Sequence, residues 1–86
     1  MNRIYKYPLS LASGPQSITL PQDAEIVYFD MQDGTPCIWA RVEPFGTVQR
    51  VRHFWIIGTG FDIKDNLKHV GTALHGAFVW HLFEQE

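Results

Sequence analysis

The residues through which this chain could do chemistry are four histidines, one cysteine and three serines. None stands at the spacing that its chemistry requires. His69, His75 and His81 recur every six residues, which matches no compact metal-ligand motif, and no cysteine or carboxylate sits at ligand spacing beside them. A nucleophilic thiol needs a helix N-terminus or a nearby cation to form its thiolate. Cys37 instead follows Pro36 inside a strand pattern, with Asp30 as its expected cross-strand neighbour. Ser10, Ser13 and Ser17 lie in a Gly/Pro-punctuated loop without the Gly-x-Ser-x-Gly elbow of a serine hydrolase. Gly58-Thr59-Gly60 would open a dinucleotide fingerprint only with a third glycine at position 63, which is Ile63, and with a helix to follow. A turn or bulge closing the preceding strand is the expectation there. The reading is therefore of no catalytic residue, no metal site and no cofactor.

Binding chemistry is better represented. Tyr28, Trp39 and Arg41 are expected on one face of a hairpin with Asp30 and Ile26, and Tyr, Trp and Arg are the types enriched at interface hot spots. The competing expectation is that a second sheet or the N-terminal strand covers this face, making Tyr28 and Trp39 a core pair. The one basic cluster is Arg50-Val51-Arg52-His53. Arg50 and Arg52 would contact an anion or nucleotide if the fold gathers Lys6, Lys64 or Lys68 beside them; otherwise they are a solvated strand end.

The elements that must position these groups belong to one small domain, since compact domains run from ~50 to ~250 residues and the chain has 86. A chain this short buries only ~60–65% of its unfolded surface, so its core must be rich, and 45% hydrophobic and 14% aromatic residues supply that. The net charge of −2 comes with no basic stripe, which removes the drive for general nucleic-acid binding. A single cysteine excludes an intramolecular disulfide. No apolar stretch approaches the ~18 residues of a membrane span, and the N-terminal residues lack signal-peptide features. A cytoplasmic protein is the expectation.

Helical periodicity is nearly absent, while turn signals recur at Gly14-Pro15, Pro21, Asp33-Gly34, Pro44 to Gly46, Gly58 to Gly60, Asp65-Asn66 and His75-Gly76. The pattern predicts strands over Arg3–Tyr7, Ser17–Leu20, Glu25–Gln32, Thr35–Val42, Arg50–Ile57, His69–Leu74 and Ala77–Glu84. Phe61 to Leu67 reads as a loop or a single helical turn. Short strands at this spacing predict an all-β fold, a small antiparallel sandwich or partly open barrel of about six to seven strands built from hairpins.

Asp-Gly between alternating runs is the strongest short-range hairpin signal, because a type I′ turn needs positive φ at both central residues. That turn pairs Gln32 with Thr35, Asp30 with Cys37, Tyr28 with Trp39 and Ile26 with Arg41. The other face, Met31, Phe29 and Val27 against Pro36, Ile38 and Ala40, is the expected core face. A second hairpin at His75-Gly76 would set Ala73 against Phe78, Thr72 against Val79 and Gly71 against Trp80, with His69 and His81 on opposite faces. Both faces of the last strand are apolar, which predicts a central strand covered on both sides or covered by a second subunit. Phe29, Ile38, Ile56 and Val79 are expected in the core.

Several phrases are distinctive together: Ile4-Tyr5-Lys6-Tyr7-Pro8, Leu20-Pro21-x-x-Ala24-x-Ile26, Asp33-Gly34-Thr35-Pro36-Cys37-Ile38-Trp39-Ala40, Ile57-Gly58-Thr59-Gly60, His69-Val70-Gly71-Thr72 and Val79-Trp80-His81-Leu82-Phe83-Glu84. This combination resembles a family of small uncharacterised proteins found mainly in bacteriophage and prophage genomes, a domain of unknown function. The resemblance implies a phage accessory protein made in the host cytoplasm, and it brings no catalytic residues. The expected function is non-catalytic binding of a host protein, an inhibitor of bacterial defence being one instance, through Tyr28, Trp39 and Arg41. Twelve aromatic rings are many for so small a monomer to hide, which predicts a homodimer. The alternative is a small-ligand binder that sequesters a nucleotide or similar anion with Arg50 and Arg52.

Overall fold

A computed structural model describes residues 1–86 except 44, 46 and 47; the turn expected over Pro44 to Gly46 falls largely outside the described residues. The described chain is all-β. Its seven strands are β1 (Arg3–Pro8), β2 (Gln16–Pro21), β3 (Glu25–Gln32), β4 (Thr35–Val42), β5 (Gln49–Gly58), β6 (Leu67–His75) and β7 (Phe78–Gln85). All pairings are antiparallel and form two sheets, of order β1-β4-β3 and β2-β5-β7-β6. The β3 and β6 edges lie against each other, so the sandwich is partly closed along that seam. The segment from Phe61 to Leu67 contains no helix, and no helix of the described residues is long and apolar enough to cross a membrane.

The core is the space between the sheets. Phe29, Ile38, Ala40 and Val42 face Leu20, Phe54, Ile56, Ala73 and Leu82 there, all buried. Full burial of a side chain such as Phe54 or Leu82 contributes roughly 1.5–3 kcal/mol. Of the four expected core residues Phe29, Ile38 and Ile56 are buried. Val79 is half-buried on the outer face of its sheet, because β7 is central in the hydrogen-bonding direction but covered by a second sheet on one side only.

The Asp33-Gly34 hairpin forms as its sequence dictates. Both residues have positive φ, 51° and 79°, and Gln32 pairs with Thr35, Asp30 with Cys37 and Tyr28 with Trp39. Beyond Tyr28 the expected register fails. A β-bulge at Val27 pairs Ile26 with Ala40 and Glu25 with Arg41. Ile26 consequently packs against the core, and Val27, expected inside, turns out to solvent beside Tyr28.

The last hairpin is displaced by one residue: its two-residue loop is Gly76-Ala77, with His75 opposite Phe78 and Ala73 opposite Trp80. Only the first loop residue has positive φ, 61° at Gly76, as a type II′ turn requires. A β-bulge at Val70 then pairs Gly71 with Leu82 and His69 with Phe83. Trp80 does lie over a cross-strand glycine, but that residue is Gly58 of β5. Both bulges sit on the two edge strands that meet at the seam, a usual device for curving an edge and blocking its extension.

Candidate functional site

Among the described residues no segment covers the outer face of the β1-β4-β3 sheet. β1 pairs with β4 at the sheet edge instead of folding across the face, and the cross-strand rows are Lys6–Trp39–Tyr28 and Ile4–Arg41–Glu25. The Tyr28 and Trp39 rings lie 5.6 Å apart at a 47° tilt. Tyr28 is 56% exposed, Ile4 54% and Val27 49%. The bulge produces this density of apolar groups, since it places two consecutive residues, Val27 and Tyr28, on the same side of the strand.

The polar groups around this pair hold one another. Tyr28 Oη donates to Asp30 Oδ2 at 2.7 Å, and Asp30 Oδ1 accepts from the Met31 N–H at 2.8 Å. The hydrogen bond to Asp30, and then the carboxylate's charge, raise the Tyr28 pKa above the usual tyrosine value. The same hydrogen bond, and then the Met31 N–H, hold the Asp30 carboxyl below the usual carboxylate range. Lys6 Nζ donates to Gln32 Oε1 at 2.6 Å. Arg41 is exposed, and its Nε and Nη2 lie 3.1 and 3.0 Å from the Asn2 side-chain oxygen once that amide is turned to accept. The structure thus brings Tyr28, Trp39 and Arg41 onto one open face, while Cys37 on the same strand is buried.

Arg50 and Arg52 fall in different settings. Arg50 is exposed. Arg52 points between the sheets, where its Nε and Nη2 donate to the two Glu84 carboxylate oxygens at 2.6 and 2.7 Å and its Nη1 to the Ala24 carbonyl at 2.8 Å. Its guanidinium also lies 5.8 Å from the Phe54 ring centroid. The fork that would have held an anion is occupied by the protein itself.

His69 and His81 share a face, contrary to the expected register, because the Val70 bulge reverses the alternation ahead of it. Thr72 Oγ1 bridges them, 2.9 Å from His69 Nε2 and 3.1 Å from His81 Nδ1, and Thr59 Oγ1 lies 2.9 Å from His81 Nε2. Hydroxyls thus contact both ring nitrogens of His81 and one of His69, and among the described residues no carboxylate is hydrogen-bonded to either ring. Among the described residues no group of three or more His, Cys, Asp or Glu is placed to hold a metal ion.

A second surface went unnoticed in the sequence. A cleft of about 630 Å³ opens beside the end of β5, lined chiefly by Leu11, Trp55, Ile57, Phe61, Ile63 and Trp80. Lys64 Nζ sits at its rim, 5.2 Å from the centre of the Trp55 ring, and the Trp55 indole N–H is buried with no hydrogen-bond partner among the described residues. Its volume and mostly apolar lining fall within the range of small-molecule pockets. The sequence shows strands two and five to be unequal in length, but only their pairing in the fold leaves part of the longer one uncovered.

Fold and surfaces together define a small antiparallel β-sandwich, partly closed along one seam, that presents an aromatic sheet face and an apolar cleft. The chain belongs to a family described as a domain of unknown function (DUF7352), whose model matches residues 1–86. That description states neither a source nor an activity. No curated protein and no solved structure matches the chain.

Proposed function

We infer that this protein is a non-catalytic binding module that engages another protein through the outer face of the β1-β4-β3 sheet, with Tyr28, Trp39 and Arg41 as its main contacts. One observation carries the reading: this face is uncovered, yet it displays Ile4, Val27 and Tyr28 at about half exposure around Trp39. Clustered exposed apolar groups rimmed by charge mark interaction sites. The rim is of both signs, Lys6 and Arg41 against Asp30 and Glu25, which suits a specific protein partner better than a polyanion.

The sequence resemblance supplies the context, a phage accessory protein acting on a host protein in the host cytoplasm, inhibition of a defence component being one form of that action. Homodimerisation is the other use of the same face. Sequestration of a nucleotide has less support, because Arg52 is held by Glu84 and Ala24.

The test is the partner affinity of Trp39→Ala, measured with a purified target and, for self-association, by light scattering. Trp39→Ala is expected to weaken association by about 2 kcal/mol or more, as at a hot spot, with the unfolding transition of the monomer retained. Unchanged affinity would remove this face from the interaction. A thermal shift with a nucleotide, lost on Arg50→Ala, would favour the sequestering function instead.

A further inference from the structure

β5 is four residues too long for its neighbour. β2 covers it only from Gln49 to Phe54, the pair Gln16–Phe54 being the last. From Trp55 to Gly58 it is paired with β7 alone, Trp55 opposite Phe83 through Gly58 opposite Trp80. The phase of the hydrogen bonding along this stretch is set by its end. Thr59 N donates to Val79 O at 3.3 Å, and these two residues continue the same register. In an antiparallel ladder the residues that exchange hydrogen bonds alternate with those that turn away. Ile57 and Trp55 therefore address β7, and the backbone groups of Ile56 and Gly58 point to the uncovered side. The Gly58 carbonyl does so visibly, accepting from Phe61 N at 3.2 Å.

The Ile56 N–H and C=O accordingly face the apolar cleft. The loop across it forms its bonds elsewhere: Leu9 N donates to Pro36 O, Ser10 N to the Gln16 side chain, and Ala12 N to Ser10 Oγ. Ile56 is itself 93% buried, at 7% exposure, and a paired donor and acceptor at a buried residue call for partners. What meets both requirements, main-chain hydrogen bonds and apolar side chains alternating to two sides, is an extended strand.

We propose that the free edge of β5 at Ile56–Gly58 is a strand-addition site for an extended apolar peptide segment of another protein, seated in line with β2. The site is separate from the Tyr28–Trp39 face and does not depend on it. Gln16 lies opposite Phe54 and the chain runs on from it through Pro15, so the room for a peptide is opposite Ile56–Gly58, roughly 10 Å of edge and about three peptide residues. The peptide residue opposite Ile56 exchanges both main-chain hydrogen bonds with it and points its side chain inward toward Trp80 and Phe61. The next residue points outward, onto Ile57. Main-chain pairing supplies affinity in this mode, and the alternate side-chain pockets supply selectivity. A small apolar molecule would fill the cleft but leave the Ile56 backbone groups unpaired.

The test selects a displayed library of random decapeptides on the full chain and titrates the best selected peptide into isotope-labelled protein. The expected result is a peptide with alternating apolar residues whose binding slows hydrogen exchange of the Ile56 amide at least tenfold. N-methylation of the one peptide residue opposite Ile56 should cost at least tenfold in affinity. Phe61→Glu, at a side chain 75% exposed in the free protein, should do the same without unfolding the domain. The proposal is overturned if no peptide is enriched, if protection falls on the Tyr28–Trp39 face, or if N-methylation anywhere along the peptide is without effect. It is equally overturned if the purified protein is a dimer in which the Ile56 amide is already protected, since the occupant would then be a second copy.

Discussion

Gly71 of β6 and Phe29 of β3 meet at the seam between the two sheets. A Cβ on Gly71 would stand 3.1 Å from the Cβ of Phe29, closer than ordinary carbon contacts. Phe29 is buried at 4% exposure and its Cβ moves only with the β3 backbone, so the contact sets how near the two edges can come.

Gly71→Ala should therefore lower stability. Overpacking of a fitted core costs about 1–3 kcal/mol, against about 0.4–1 kcal/mol gained by restricting the unfolded chain. A net loss of about 1 kcal/mol in denaturant unfolding is expected. A neutral or stabilising result would mean that the sheets are not in contact at this point.

Gly34 tests the backbone alone. Its φ is 79°, and the nearest atom to an added Cβ is His75 Cε1 at 4.0 Å, so there is room for a side chain. Gly34→Val should still cost about 1–2 kcal/mol, the penalty of the left-handed conformation, and Gly34→Asn clearly less. Equal unfolding midpoints for the two variants would place the turn elsewhere.

The Arg52–Glu84 pair closes the end of the core, with side chains only 14% and 19% exposed. Arg52→Ala leaves a partly buried carboxylate and the Ala24 carbonyl without their donor, and a loss of about 2 kcal/mol or more is expected. Arg50→Ala, at an exposed position, should change stability by less than about 0.5 kcal/mol. Similar losses for both arginines would show that Arg52 carries no structural ion pair.

Tyr28 and Asp30 should titrate as a linked pair. In NMR titrations Asp30 is expected to ionise below the usual carboxylate range and to return toward it in Tyr28→Phe. The sign for stability follows. Asp30, depressed in the fold, stabilises above its unfolded pKa, and that contribution is lost as pH falls through the folded value. Tyr28, raised in the fold, stabilises below its unfolded pKa and loses that contribution as pH rises through the folded value. An Asp30 titration insensitive to Tyr28→Phe would refute the bond.

How much of this was legible in the sequence depends on the range over which each feature is decided. The strands and the Asp33-Gly34 turn could be read because alternation and turn chemistry act within a few residues, and Tyr28 opposite Trp39 follows from counting outward from that turn. The counting fails at Val27 and Val70, where each strand carries one residue more than its partner. A bulge is settled by the fit of one edge strand to another across the seam, so Val27 moved from core to surface and His69 crossed to the face of His81. Tertiary structure alone decided that β1 adds to the sheet edge and leaves Tyr28, Trp39 and Arg41 uncovered. It alone joined Arg52 to Glu84, 32 residues away, and ended β2 short of β5 to open the cleft. Local sequence sets which residues are extended and which way neighbouring side chains alternate. Which sheet face is covered, and which strand edge is left free, are set by contacts between distant segments that no local pattern encodes.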